Sequence, residues 1–432
     1  MVFPFEACQD YRLGGLHAVH LGDKFDSDRY TVEHKLGYGV TSTVWLAHDL
    51  QEQRYVALKI YLADTPTDAG GEVPDVTFLR HLHRYRSEQT SRGTPPLWSH
   101  FPTVLDKFMV HGPNGEHVCL VIEVLGGRLC DMAEIAPDSR LPYQVGMAVA
   151  LQITDAVKEM HASGVVHGDL HEANIVFDVP SIMEWRSMED IYRHLGKPIV
   201  EDMPEELHRP GFPKYFVQCV HERRWWELCI RWPMVPTIKI IDFSEAFFAE
   251  PGEAIGKVLH TAISAAAPEA FFGDLVTSAV DVWAVGCIIF SSMADHPIWS
   301  AMWSENEIIV QWALALGRFP DRWWDAWNSS DQYFSEERDL LAEQEKLRKP
   351  NSAIEERVVY LTHRVGRNPA EWVSDEQQMA EYKHLMLAIF KLEPAERITA
   401  EEAADLLPKV WAVGRAVYRE LGVKPIEYNG IL

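Results

Sequence analysis

The hydrophobic pattern of this 432-residue chain changes period near Gly126, and that change bounds the folds open to it. Upstream, β-branched and aromatic residues come in short runs: Tyr30-Thr31-Val32, Thr43-Val44-Trp45-Leu46-Ala47, Tyr55 to Tyr61, Leu105 to Val110 and His117 to Glu123. Such runs read as strands, and Gly112-Pro113-Asn114-Gly115 joins the last two as a hairpin. Residues 62–74 read as loop, and Asp75–Arg86 as a short helix. Downstream, Tyr143 to His161 carries apolar residues at helical spacing and stops at Gly164. Val165-Val166, Ile175-Val176-Phe177 and Ile238 to Ile241 are short β pieces, and beyond residue 250 the pattern is helix and loop. The expectation is an α+β chain: a β-rich lobe with one helix (30–122), an extended connector (123–126) and a mostly helical lobe (127–415). Residues 178–236 and 300–375 interrupt that lobe as irregular, charge- and Trp-bearing inserts. Residues 1–29 are an extension and 416–432 a tail. No internal repeat is evident.

Composition narrows the function classes. Hydrophobic residues make up 47% of the chain, enough for a sizeable core. The net charge of −24 disfavours nucleic acid and anionic membranes as partners and favours basic substrates, although a solvated acidic surface gives the same number. Six cysteines, none in a Cys-x-x-Cys pair, read as reduced thiols of a cytosolic or nuclear protein. No secretory signal is visible. The longest apolar stretch, Val282 to Met293, is too short for a bilayer and is expected to be a buried helix.

Three segments carry chemistry. In Leu36-Gly37-Tyr38-Gly39, two glycines between strands let backbone N–H groups approach phosphates closely; a plain hairpin turn fits the same residues. Lys59 ends the apolar run Val56-Ala57-Leu58, where its ammonium can reach nucleotide phosphates or simply be solvated. In His167-Gly168-Asp169-Leu170-His171-Glu172-Ala173-Asn174, a carboxylate able to orient an attacking hydroxyl and an oxygen ligand for Mg²⁺ share one short loop. His167 is expected to be structural, holding backbone groups beneath the loop. In Ile240-Ile241-Asp242-Phe243-Ser244, an aspartate follows an apolar strand and offers Mg²⁺ a hard carboxylate, or begins a turn. Ala267-Pro268-Glu269, Asp281-Val282-Trp283-Ala284-Val285-Gly286 and Glu393 to Ala400 follow in order.

Over residues 30–412 this ordered set resembles the eukaryotic protein kinase signature. The resemblance implies a bilobal fold, ATP and Mg²⁺ as cofactors, Lys59 on the α/β-phosphates, Asp169 as catalytic base, and Asn174 and Asp242 as metal ligands. It implies structural ion pairs of Glu269 with Arg397 and of Lys59 with Asp75 (Glu72 being a second candidate), and a buried Asp281 bracing the catalytic loop. Adenine would lie against Glu123 and Leu125, with Ile122 at the back and Val44 and Ala57 as the roof. The segments Tyr11 to Asp23, Leu36 to Ala47, Asn114 to Gly126 and Tyr192 to Pro198 are similar to the SR-protein kinases, in a fungal-type branch. That implies a serine/threonine kinase acting on basic Arg/Ser-rich proteins, cytoplasmic or nuclear, and a monomer.

The sequence also departs from the pattern. Gly168 stands where the family carries Arg, implying no need for a phosphate on the activation segment. His171 replaces the catalytic-loop Lys, and an imidazole is a weaker phosphate anchor than an ammonium. The segment Thr261 to Ala266 lacks the usual spacing, and Ser244 replaces a glycine. Two further readings stay open: a pseudokinase scaffold that binds nucleotide, and a small-molecule phosphotransferase.

Overall fold

The structure is a computed structural model that describes residues 5–92, 99–230, 236–294, 296–300, 304–347, 353–358 and 376–410. The tail 416–432 and, within 300–375, residues 301–303, 348–352 and 359–375 lie outside the described residues. The chain divides into two compact units: Met1–Ile135 with Val176–Arg231 and Lys239–Ser244, and Ala136–Ile175 with Trp232–Ile238 and Glu245–Leu432.

The first unit is built on a six-stranded antiparallel sheet. Its strands are β1 (Lys24–Phe25), β2 (Tyr30–Tyr38), β3 (Ser42–Asp49), β4 (Arg54–Tyr61), β5 (Val104–Gly112) and β6 (Gly115–Ile122), in the order β1-β2-β3-β4-β6-β5. Residues 24–25 of the extension thus supply an edge strand. Val32, Trp45, Val56, Leu58, Ile60, Cys119 and Val121 form the apolar core of this sheet. The single helix, α1 (Pro74–Ser91), is longer than the expected Asp75–Arg86. Pro74 opens it with a pre-set φ, and Asp75 lies in its first turn, where the helix dipole favours a carboxylate. The connector is shorter than expected, because Leu125–Arg128 is already a strand paired with Ile175–Asp178.

The first insert is not irregular. Residues 188–229 contain helices Met188–Leu195 and Glu222–Cys229 and a hairpin of Val200–Asp202 with Tyr215–Val217. Ser187 and Asp190 form a reciprocal capping box at the first helix, and Ile191, Leu195, Trp225 and Leu228 turn inward. Val217 joins the core of the six-stranded sheet.

The second unit is helical around Tyr143–Ala162, Ala279–Ser291 and Glu376–Ile389. The expected buried helix at Val282–Met293 is the buried helix Ala279–Ser291. Its Gly286 lets the helix Glu376–Ile389 approach, since a Cβ there would meet Ile389 Cγ2 at 2.5 Å. Trp283, Trp299, Trp312 and Phe390 pack together at ring separations of 5.0–5.8 Å. Within 300–375, Asn306–Leu316 and Asp321–Ala326 are helices. The consecutive buried residues Ile308, Ile309 and Val310 give no clear helical period, which is why the sequence reads as irregular there. Trp225 and Trp323 are buried packing residues.

Candidate functional site

In the first unit the site grows from the β2–β3 turn. Gly37 pairs with Val44, and the Gly39 N–H donates to the Ser42 carbonyl at 2.9 Å. Neither glycine has a positive φ, and a Cβ added to either would meet nothing within 4 Å. The turn itself therefore does not require glycine; what the two glycines leave is bare backbone facing open space. Leu36 precedes them on β2, Val44 lies across from Lys59, and Ala57 across from Ile122.

Lys59 meets Asp75 at 2.7 Å. Tyr61, two residues along and so on the same face of β4, also donates to Asp75 through its hydroxyl. The other Asp75 oxygen accepts the Phe243 N–H at 3.0 Å. Burial opposes the Lys59 ammonium, but the Asp75 and Asp242 carboxylates outweigh it and hold its pKa above the ordinary lysine value. Burial likewise opposes the Asp75 carboxylate, and Lys59 with the Tyr61 and Phe243 hydrogen bonds keeps it below the usual carboxylate range. Glu72 instead pairs with Arg80, at 3.0 Å, and with Lys107. Asp242 has φ +64°, a left-handed conformation uncommon outside glycine, and the next residue, Phe243, is buried against Phe78 and Phe101. Glu123 accepts the Thr103 N–H at 2.8 Å and pairs with the buried Lys239 at 3.1 Å.

Sequence reasoning missed Tyr61, whose spacing from Lys59 was the available signal. It also missed Lys35, fully buried on β2, paired with Glu6 and lying over the Tyr38 and Trp45 rings at 5.2 and 5.3 Å. No local pattern links Glu6 to Lys35.

In the second unit the loop leaves Val165–Val166, which pairs with Phe247–Phe248. Asp281 is fully buried and accepts the N–H groups of His167 and Gly168 at 2.8 and 2.9 Å and the His161 Nε2 at 3.0 Å. Burial alone would raise its pKa; His161 and the His167 backbone hold it below the usual carboxylate range. His167 Nδ1 accepts the Asp169 N–H at 3.3 Å, the structural role expected of it. Gly168 has φ +78°, and a Cβ there would meet the Glu245 carbonyl at 2.8 Å. An arginine therefore does not fit this backbone. The Gly168 carbonyl instead accepts the Thr261 hydroxyl at 2.6 Å, and Glu245 pairs with Lys257 and His260 at 3.5 and 2.8 Å.

Asp169 Oδ2 lies 3.4 Å from Asn174 Nδ2 and 3.6 Å from His171 Nε2. His171 Nδ1 accepts the Ala173 N–H at 3.2 Å, and its Nε2 lies 3.2 Å from Asn174 Nδ2. Asn174 Nδ2 also donates to the Asp169 carbonyl at 2.9 Å. Asp169 Oδ1 is buried with no hydrogen-bond partner among the described residues. Elsewhere in the unit Arg397 grips Glu269 with two bonds of 2.7 and 3.0 Å, both side chains fully buried.

Comparison with known proteins places this geometry. The family model of the protein kinase domain matches residues 231–407. Over those residues the chain is similar to protein kinases. It is 30% identical over 200 residues to protein kinase dsk1 of Schizosaccharomyces pombe, covering 46% of this chain and 34% of dsk1. It is 25% identical over 418 residues to the serine/threonine-protein kinase SRPK of Physarum polycephalum, covering 93% of this chain and 90% of that one. Human SRSF protein kinase 3 is 30% identical over 211 residues, covering 47% of this chain and 36% of that one. The chain thus spans about a third of the length of dsk1 and of the human kinase, and nearly all of the Physarum kinase. A solved crystal structure of a kinase domain shares the fold at TM-score 0.56 and 16% identity, covering 91% of this chain and 98% of that one. No helix among the described residues is long and apolar enough to cross a membrane.

Proposed function

We propose that this chain is an ATP- and magnesium-dependent serine/threonine protein kinase. Its substrates are basic, Arg/Ser-rich proteins, and it works as a cytoplasmic or nuclear monomer. The observation that carries the reading is the Asp75 carboxylate: it holds Lys59 at 2.7 Å and the Phe243 backbone at 3.0 Å, so the phosphate-binding lysine and the residue after Asp242 are fixed by one group.

The residues fit the two cofactors. Gly37 and Gly39 leave backbone with open space where a phosphate chain needs it. Among the described residues no three His, Cys, Asp or Glu side chains form a metal cage. That suits Mg²⁺, which takes one or two protein oxygens and completes its shell with phosphate and water. Bound magnesium would neutralise charge on the transferring phosphoryl group. Asn174 and Asp242 are the proposed ligands.

The chain's own groups do the rest. Lys59 arrives charged, because its pKa is held up, and binds the α/β-phosphates. Leu36, Val44, Ala57, Ile122, Glu123 and Leu125 take the adenine. Asp169 has one buried oxygen without a partner, and this is the atom proposed to receive the acceptor hydroxyl and its proton. His171, whose Nε2 lies 3.6 Å from Asp169 Oδ2, stands at the position of the family's lysine. Thr261 on the Gly168 carbonyl supports activity without a phosphorylated activation segment.

Incubation with Mg²⁺, labelled ATP and an Arg/Ser-repeat peptide tests the proposal, with Asp169→Ala as control. Label in the peptide that the control lacks is the expected result. Nucleotide binding without transfer would establish the scaffold reading that His171 favours. Transfer to a small alcohol alone would establish a small-molecule phosphotransferase.

A further inference from the structure

The first unit contains a cavity of about 450 Å³ that none of the residues assigned above lines. Its wall comes from three stretches far apart in sequence: His17 to His20, Pro113-Asn114 and His208 to Lys214. Its polar lining is basic: Arg209, Lys214 and the imidazoles of His17, His20 and His208, with no carboxylate among the lining residues. That is unusual in a chain with 64 acidic and 40 basic residues. Neither Arg209 nor Lys214 has an ion-pair partner among the described residues; the Arg209 guanidinium lies over the Phe212 ring at 5.0 Å. Phe212, Pro113 and Pro210 give the same cavity an apolar side.

The wall is also built rather than incidental. The Asn114 amide donates to the carbonyls of Leu16 and Gly211, both at 2.7 Å, tying the three stretches together. The Lys214 N–H donates to His20 Nε2 at 3.0 Å. Two glycines are needed for this closure. A Cβ at Gly211, where φ is +82°, would lie 2.1 Å from Asn114 Oδ1, and one at Gly112 would lie 2.6 Å from the His17 ring. Burial, and then His117 beside it, push His17 down to about 4, so it offers hydrogen bonding rather than charge at neutral pH.

We propose that this cavity binds a small phosphomonoester. Two cations without an ion-pair partner among the described residues suit a dianion, and the Phe212 side suits the organic part. The volume is that of a small-molecule site rather than of a lone ion.

The test is calorimetric titration of the full chain with inorganic phosphate, O-phosphoserine and glucose 6-phosphate, in the presence of a saturating non-hydrolysable ATP analogue. Serine and glucose serve as blanks. The expected result is one site for at least one phosphomonoester, tighter than for inorganic phosphate, with no binding of the blanks. Which ester binds more tightly tells an amino-acid source from a sugar source. Arg209→Ala with Lys214→Ala is expected to weaken binding roughly tenfold or more; both side chains are exposed, so the fold tolerates the change. Lys59→Ala is expected to leave this binding intact, which separates the cavity from the nucleotide site. Absence of binding by both esters, binding of inorganic phosphate alone, or binding unchanged in the Arg209/Lys214 double variant would each overturn the proposal.

Discussion

Asp75 and Asp281 are both buried aspartates that accept backbone N–H groups, yet they serve different ends. Asp75 holds one N–H, of Phe243, and spends its other oxygen on Lys59 and Tyr61. Asp281 holds two N–H groups, of His167 and Gly168, with an imidazole as its third partner. The first ties a cation, the one proposed to bind phosphates, to a backbone. The second ties a backbone to a helix. Loss of Asp75 should therefore be read mainly in activity, and loss of Asp281 mainly in folding.

Four measurements break or sharpen that contrast. Asp281→Ala leaves its buried N–H donors without an acceptor, at about 1–3 kcal/mol each. Denaturant unfolding should show the largest loss here, and a loss no greater than that of a surface substitution would remove Asp281 from the comparison. Asp75→Asn keeps the shape but leaves Lys59 facing a neutral group. Peptide phosphorylation is expected to fall about a hundredfold, close to 3 kcal/mol in transition-state stabilisation, with a smaller change in unfolding midpoint. Equal losses in stability for the two variants would erase the distinction.

Thr261→Ala removes one hydrogen bond to the Gly168 carbonyl, on the same loop that Asp281 braces. About 1 kcal/mol of stability is expected to go, with activity retained within a few-fold; a collapse of activity would mean that Thr261 acts by being phosphorylated. The smallest effect is with pH. Asp281 has a depressed pKa, so its contribution is present at neutral pH and is lost as pH falls through that value. The stability gap between wild type and Asp281→Asn should stay constant above about pH 5 and close below about pH 4. A gap that opened in acid would reverse the sign and refute the assignment.

The fold was legible where one residue type dominates a segment. Val56 to Lys59 and Tyr143 to His161 carry their periods openly, and the structure has a strand and a helix there. The helix Asn306–Leu316 did not, because Ile308-Ile309-Val310 is apolar all round. At the site, Asp75 was legible only as one of two candidates. Position along α1 decides between them: Asp75 is inside the first turn and faces Lys59, whereas Glu72 precedes the helix and reaches Lys107. Gly168 was visible as a departure, but its cause was not. The Glu245 carbonyl that excludes a side chain there comes from a residue remote in sequence. Contacts between distant residues, such as Glu6 with Lys35, have no local signature at all.

The seating of Phe243 bears on pharmacology. Its ring is buried against Phe78 and Phe101, and its N–H is bonded to a charged carboxylate. An inhibitor that must evict this ring would forfeit about 1.5–3 kcal/mol of burial and a charge-assisted bond of similar size. Compounds of that kind should bind roughly a hundredfold or more weaker than those that leave Phe243 in place. Selectivity against this chain is then a matter of choosing which inhibitor shape to avoid.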